Sequence, residues 1–104
     1  MSNSFQPDYT LNGDVIVDEA SFYTEITRVC NFPGYFGRNP DALNECLGDL
    51  AQEHPGAQIW WANVHPYLAT IAARHQASQD KTIKKNLLEH MKEICDGHGL
   101  KFYT

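Results

Sequence analysis

Three short strand-like runs stand far apart in this chain, and that spacing restricts the fold more than any other feature. Tyr9 to Leu11 opens the series, Ala57 to Trp61 (AQIWW) sits mid-chain, and Leu100 to Tyr103 closes it. Each interval between them carries two helical patterns. Antiparallel neighbours are joined by tight hairpins, whereas parallel neighbours need a crossover of about a dozen residues or more. The order strand, two helices, strand, two helices, strand therefore predicts an α/β domain: a small three-stranded parallel sheet with about four flanking helices. The domain is expected over residues 9–104, after a short tail over 1–8. A chain of 104 residues buries about two-thirds of its unfolded surface, enough for one core.

Local chemistry places the boundaries. Asn12-Gly13 is a turn signal, and Val15 to Val17 reads as a further extended piece. Asp18 is placed to cap a first helix in which Phe22, Ile26, Val29 and Cys30 recur at helical spacing, and which stops near Asn31. A second helix opens with Asn39 as cap and Pro40 at its first position, where the missing N–H costs nothing. Leu43, Cys46, Leu47 and Leu50 form its apolar side, and His54-Pro55-Gly56 closes it. Pro66, Leu68, Ile71 and Ala72 predict a short third helix ending before His75. Asp80 would cap a fourth, with Ile83, Leu87, Met91 and Ile94 as its stripe and Gly97 or Gly99 as its stop.

The second helix holds the feature that asks for a function. Asp41, Glu45 and Asp49 follow one another at four-residue intervals, opposite the leucine stripe, so they share an exposed face. Just before them, Gly34-Tyr35-Phe36-Gly37 sets two aromatic residues between glycines. The net charge is −5, and it is uneven. Residues 1–49 hold eight acids (Asp8, Asp14, Asp18, Glu19, Glu25, Asp41, Glu45, Asp49) against Arg28 and Arg38. A field of that sign repels nucleic acid and attracts basic partners. Phe36 is assigned to the core; Tyr35 faces either the core or a partner, since exposed tyrosine beside a charged helix is a composition of protein–protein hot spots.

Other chemistries find less support. Cys95 and His98 are spaced C-x-x-H, but no second pair has ligand spacing, and His54, His65, His75 and His90 are scattered, as solvated surface histidines are; no metal or cofactor is expected. No nucleophile elbow, phosphate loop or H-E-x-x-H occurs. Cys46 lies on an apolar side among acids that would raise its thiol pKa, so it reads as core packing and no catalytic residue is assigned. Asp41 and Glu45 could divide acid and base roles in a small enzyme if one were buried. The three cysteines have no close pairing and suit free thiols in a reducing, cytoplasmic compartment. No apolar run approaches the ~20 residues of a membrane span, and MSNSFQPD has neither the basic nor the apolar region of a signal peptide.

The stretch Pro33 to Leu47, PGYFGRNPDALNECL, resembles the barstar family of ribonuclease inhibitors, whose pattern there is roughly P-x-Y-[YF]-G-x-N-x-D-A-L-W-D-x-L. Pro33, Tyr35, Phe36, Gly37, Asn39, Asp41, Ala42, Leu43 and Leu47 are in register, and length and element order agree over nearly the whole chain. The resemblance implies an intracellular immunity protein, monomeric when free, that plugs the active site of a basic ribonuclease or ribonuclease toxin as a one-to-one heterodimer. It implies a partner-binding set of Tyr35, Gly37, Arg38, Asn39, Asp41, Asn44, Glu45 and Asp49, with Glu93, or else Glu89, as a further acidic contact from the fourth helix. A row of carboxylates imitates a row of phosphates and pairs with the cations that bind them. Glu45 stands where the family has aspartate and Asn44 where it has tryptophan, which implies a different cognate enzyme. A barstar-fold module that binds some other basic partner is the remaining alternative.

Overall fold

Two side chains start the fold at its N-terminal end. The Asn12 Oδ1 accepts from the Asp14 N–H at 3.0 Å, and the buried carboxylate of Glu25 accepts from the Asn12 N–H at 2.8 Å. The first bond ends strand β1 (Tyr9–Asn12) and turns the chain into one turn of 3-10 helix, Gly13–Val15. The extended piece expected over Val15 to Val17 is therefore displaced by side-chain turn chemistry; Ile16 is buried there while Val15 and Val17 are exposed. The computed structural model describes residues 6–33, 37–77 and 86–104.

Helix α1 (Glu19–Cys30) begins with a reciprocal cap. Asp18 Oδ1 accepts from the Ser21 N–H at 2.9 Å, and Ser21 Oγ accepts from the Asp18 N–H at 3.0 Å. Each bond satisfies a donor that the first turn leaves unpaired. The helix ends at Asn31, which is left-handed with φ 55°. Helix α2 (Pro40–Glu53) follows, then strand β2 (Gln58–Ala62).

Strand β2 pairs in parallel with β1, Tyr9 against Ile59 and Asn12 against Ala62. It pairs on its other edge with strand β3 (Lys101–Tyr103), Gln58 against Lys101. The sheet order is β1-β2-β3, all parallel. The β2 side chains alternate: Ile59 and Trp61 are fully buried and Gln58, Trp60 and Ala62 half-buried, as a period of two requires.

Helix α3 (His65–Ala77) is longer than its expected end before His75. Its fully buried residue is Tyr67, while Leu68 is exposed. One hydroxyl explains the rotation. Tyr67 donates to Glu19 Oε2 at 3.1 Å and accepts from the Leu87 N–H at 3.0 Å, tying three helices together. Burial pushes its phenol up to about 12. Helix α4 (Leu87–His98) is capped by Asn86, whose Oδ1 accepts from the Glu89 N–H at 3.1 Å and whose backbone is extended, φ −92° and ψ 177°. Asp80 is thus not the cap of this helix; Asp80 and Ile83 lie outside the described residues. Gly99, left-handed at φ 73°, ends it. The described residues thus form four α-helices around the three-stranded parallel sheet. Leu11, Phe22, Ile26, Leu43, Leu47, Ile59, Trp61, Tyr67 and Met91 meet in one core between sheet and helices.

Glu25 is the charged side chain buried in this frame. Burial alone would raise its pKa, but bonds from Arg28 Nε (3.0 Å) and Nη2 (2.8 Å) and from the Asn12 N–H outweigh it and hold the carboxyl below its ordinary value. A lowered folded pKa contributes stability above the unfolded value, near 4.3, and that stability is lost as pH falls through the folded one. Glu25→Gln keeps an acceptor for Asn12 but loses the charge. It should cost about 1–3 kcal/mol at neutral pH, with the gap from wild type closing towards about pH 3 in urea unfolding series. A gap that stays constant with pH would refute the ionic part of this link.

Candidate functional site

The start of α2 is built by the residues that precede it. Asn39 is extended (φ −147°, ψ 167°), its Oδ1 accepts from the Ala42 N–H at 2.8 Å, and Pro40 occupies the first helical position. Asn39 Nδ2 donates back to the Gly37 carbonyl at 3.1 Å. A Cβ on Gly37 would stand 3.2 Å from that nitrogen and 3.3 Å from Ala42 Cβ, so the tight approach favours glycine. Both residues serve the first turn of the helix. Arg38 between them is left-handed (φ 53°) and its Nη2 donates to Thr24 Oγ1 of α1. Its guanidinium therefore anchors the loop to α1, above a cleft that Tyr23, Pro40 and His90 also line. Tyr35 and Phe36 lie outside the described residues.

Burial of Leu43, Leu47 and Leu50 sets the rotation of α2. At about 100° per residue, Asp41, Glu45 and Asp49 then face away from the core, and all three are exposed. Among the described residues, none of the three shares an ion pair with a base, unlike Glu25 with Arg28 and Glu19 with Arg74, at 2.8 Å each. The row begins in the first turn, where the helix dipole favours Asp41, and runs into the last, where it disfavours acids. Among the described residues, the acids are thus held in the open with no base paired to them.

Cys46 lies between this row and the core. Burial raises its thiol pKa first, and Asp49 and Glu45 raise it further. Cys30 and Cys95 are pushed up to about 12, chiefly by burial. A thiolate nucleophile needs the opposite environment, and the three cysteines are free thiols. Among the described residues, no group of three or more His, Cys, Asp or Glu is placed to hold a metal ion, and no helix is long and apolar enough to cross a membrane.

Helix α4 packs beside α2. Glu89 and Glu93 are both exposed on it. His90 lines the cleft that Asn39 and Pro40 share; Glu93 and Glu89 lie about 140° and 180° round the helix from His98, a residue of α4 that meets α2. His98 is half-buried rather than a solvated surface histidine. Its Nε2 lies 2.9 Å from Asn44 Oδ1, and its ring covers Gly48: a Cβ there would come within 3.0 Å of the imidazole Cε1. The C-x-x-H spacing of Cys95 and His98 raises the question of a metal and carries no sign of this contact. The available signal was Gly48, a glycine inside a helical pattern, which often marks a close approach.

The arrangement is a capped helix that presents to solvent three carboxylates with no ion pair among the described residues, packed beside a second helix. A search among curated proteins finds no match to the chain. The family whose description is barstar (barnase inhibitor) matches residues 6–102, nearly the whole length, and with the three-stranded parallel sheet and four helices on the page, the chain belongs to the barstar family.

Proposed function

We propose that this protein is a cytoplasmic inhibitor that binds a basic ribonuclease or ribonuclease toxin one-to-one and covers its active site, with no catalysis of its own. The observation that carries this reading is the row of exposed carboxylates on α2, Asp41, Glu45 and Asp49, which share no ion pair among the described residues. An active site that holds phosphates offers Arg, Lys and His, and carboxylates pair with these through charge-assisted hydrogen bonds. Family membership supplies the direction, since its description is that of an inhibitor of barnase. The exposure of both Asp41 and Glu45 counts against an acid–base enzyme, which would bury at least one of them.

Barnase is the first probe. Glu45→Ala or Asp41→Ala should weaken inhibition by about 30-fold or more, the scale of an interface hot spot, while Glu53→Ala stays within about twofold of wild type. The barnase–barstar pair is itself a reference case for coupled interfacial charges, so the size of the effect is carried over from the family. Stopped-flow association should slow as sodium chloride rises, because steering between exposed charges is screened. Equal small losses at all three positions, or a salt-independent association rate, would defeat the reading. Tight binding to a basic protein that has no nuclease activity, with barnase untouched, would favour the regulatory module instead.

A further inference from the structure

The contact between α4 and α2 bears on which partner surface this face accepts. Glycine weakens a helix interior, yet α2 carries Gly48 in its middle, and the space that a side chain would fill is taken by an imidazole. A Cβ at position 48 would stand 3.0 Å from His98 Cε1, 3.3 Å from Nε2 and 3.5 Å from Nδ1. The ring therefore lies against the backbone of α2. From that seat its Nε2 reaches Asn44 Oδ1 at 2.9 Å. A carbonyl oxygen only accepts, so in this contact Nε2 carries the proton and one of the two lone pairs of the Asn44 amide oxygen is engaged.

What remains of Asn44 is its NH2 group, on an exposed residue flanked by Asp41 three positions before and Glu45 one after. Among the described residues no acceptor takes it. We infer that His98 is a positioning residue of the partner-binding face, holding Asn44 so that its amide donates outward between carboxylates, and that the face fits a basic surface carrying a hydrogen-bond acceptor among its cations. The inference rests on the partner-binding reading of α2. It sets a requirement that charge alone does not: a face selected only for negative potential would carry an acid at position 44, and a carboxylate there would accept from His98 equally well.

Two arms test this on the full chain. In 15N spectra of the free protein, His98 should be in the Nε2–H tautomer. The Asn44 side-chain amide resonances should move in His98→Ala and return towards wild type in His98→Gln, whose amide can donate to the same oxygen. Gly48→Ala, whose Cβ pushes against the ring while leaving both Asn44 and His98 in place in the sequence, should reproduce the His98→Ala shift. Asn44 resonances indifferent to His98→Ala would overturn the inference. In the second arm, Asn44→Asp adds a negative charge and keeps the acceptor for His98. It should nevertheless weaken barnase inhibition about tenfold or more, because an outward donor has become an acceptor. Inhibition equal to or tighter than wild type, in a background where Glu45→Ala still destroys it, would overturn the donor assignment and leave the nuclease reading standing. A wild-type chain that leaves barnase fully active defeats the nuclease reading for that enzyme, and the spectra then decide the inference by themselves.

Discussion

Gly13→Ala is expected to cost more than about 3 kcal/mol, most of the stability margin of a small domain. Gly13 is buried in the turn that follows β1, and the backbone leaving β2 passes directly over it. A Cβ at this position would stand 1.9 Å from the Asn63 carbonyl oxygen, 2.0 Å from that of Ala62 and 2.6 Å from the Asn63 carbonyl carbon. These are main-chain atoms, so no rotamer change relieves the collision. The end of β2 has to move away from β1, at the cost of the Asn12–Ala62 pairing and of the 2.6 Å bond from Asn63 Nδ2 to Asp14 Oδ1. Gly97→Ala supplies the contrast, since nothing stands within 4 Å of its added Cβ and the site is an exposed position inside α4. There the same change should stabilise by about 0.5–1 kcal/mol, the helix preference of alanine over glycine. Urea unfolding of both variants checks the pair. A Gly13→Ala protein within about 1 kcal/mol of wild type would mean that the two backbones are not in contact.

Trp61→Ala is the second large loss, about 3–5 kcal/mol. Trp61 is fully buried on the central strand, with its ring 5.1 Å from that of Phe22 and 5.3 Å from that of Tyr67 between centroids. Truncation opens a cavity that β2, held on both edges, is poorly placed to collapse. Trp61→Phe should cost far less, under about 2 kcal/mol, for a specific reason. Among the described residues, the indole Nε1 is a buried donor with no acceptor. Burying such a group unpaired costs about 1–3 kcal/mol, so removing it offsets part of the volume lost with the smaller ring. If phenylalanine and alanine destabilise equally, the indole N–H is not the liability that the geometry makes it.

These positions also show what could be read from the residues in order. The caps at Asp18 and at Asn39-Pro40 were legible because their bonds close within three residues. Parallel pairing was legible because the intervals between strands are too long for hairpins and each holds helices. The central place of β2 was not, since strand order depends on how the helices pack and no local bond encodes it. The start of α4 was misplaced because Ile83 and Leu87 continue a four-residue spacing straight across the true cap at Asn86. The face of α3 was misread by one residue, because a hydroxyl shared with Glu19 and the Leu87 N–H holds Tyr67 inside while Leu68 turns out. Glu25 counts in the sequence only as one of eight acids of the first half, yet its partners include a backbone N–H thirteen residues earlier. In the acidic face, Asp41, Glu45 and Asp49 were legible from spacing alone. The contact of Asn44 with His98 was not, because it spans 54 residues and leaves only Gly48 as a trace.

The pairing of β2 with β1 and β3 has a kinetic consequence. Tyr9 meets Ile59 and Gln58 meets Lys101, so every strand contact closes a loop of tens of residues, while α1 and α2 need only their own neighbours. Topologies dominated by such distant contacts fold slowly, on the order of milliseconds to seconds, because loop entropy is lost before the contact rewards it. The helix bearing Asp41 and Glu45 can therefore take shape before the sheet beneath it is complete. His98 and β3 come later in the chain, so during synthesis the face gains its α4 flank after α2 has been made. Docking of α4 onto α2, rather than formation of the acidic helix, would then set how soon a newly made chain completes its acidic face.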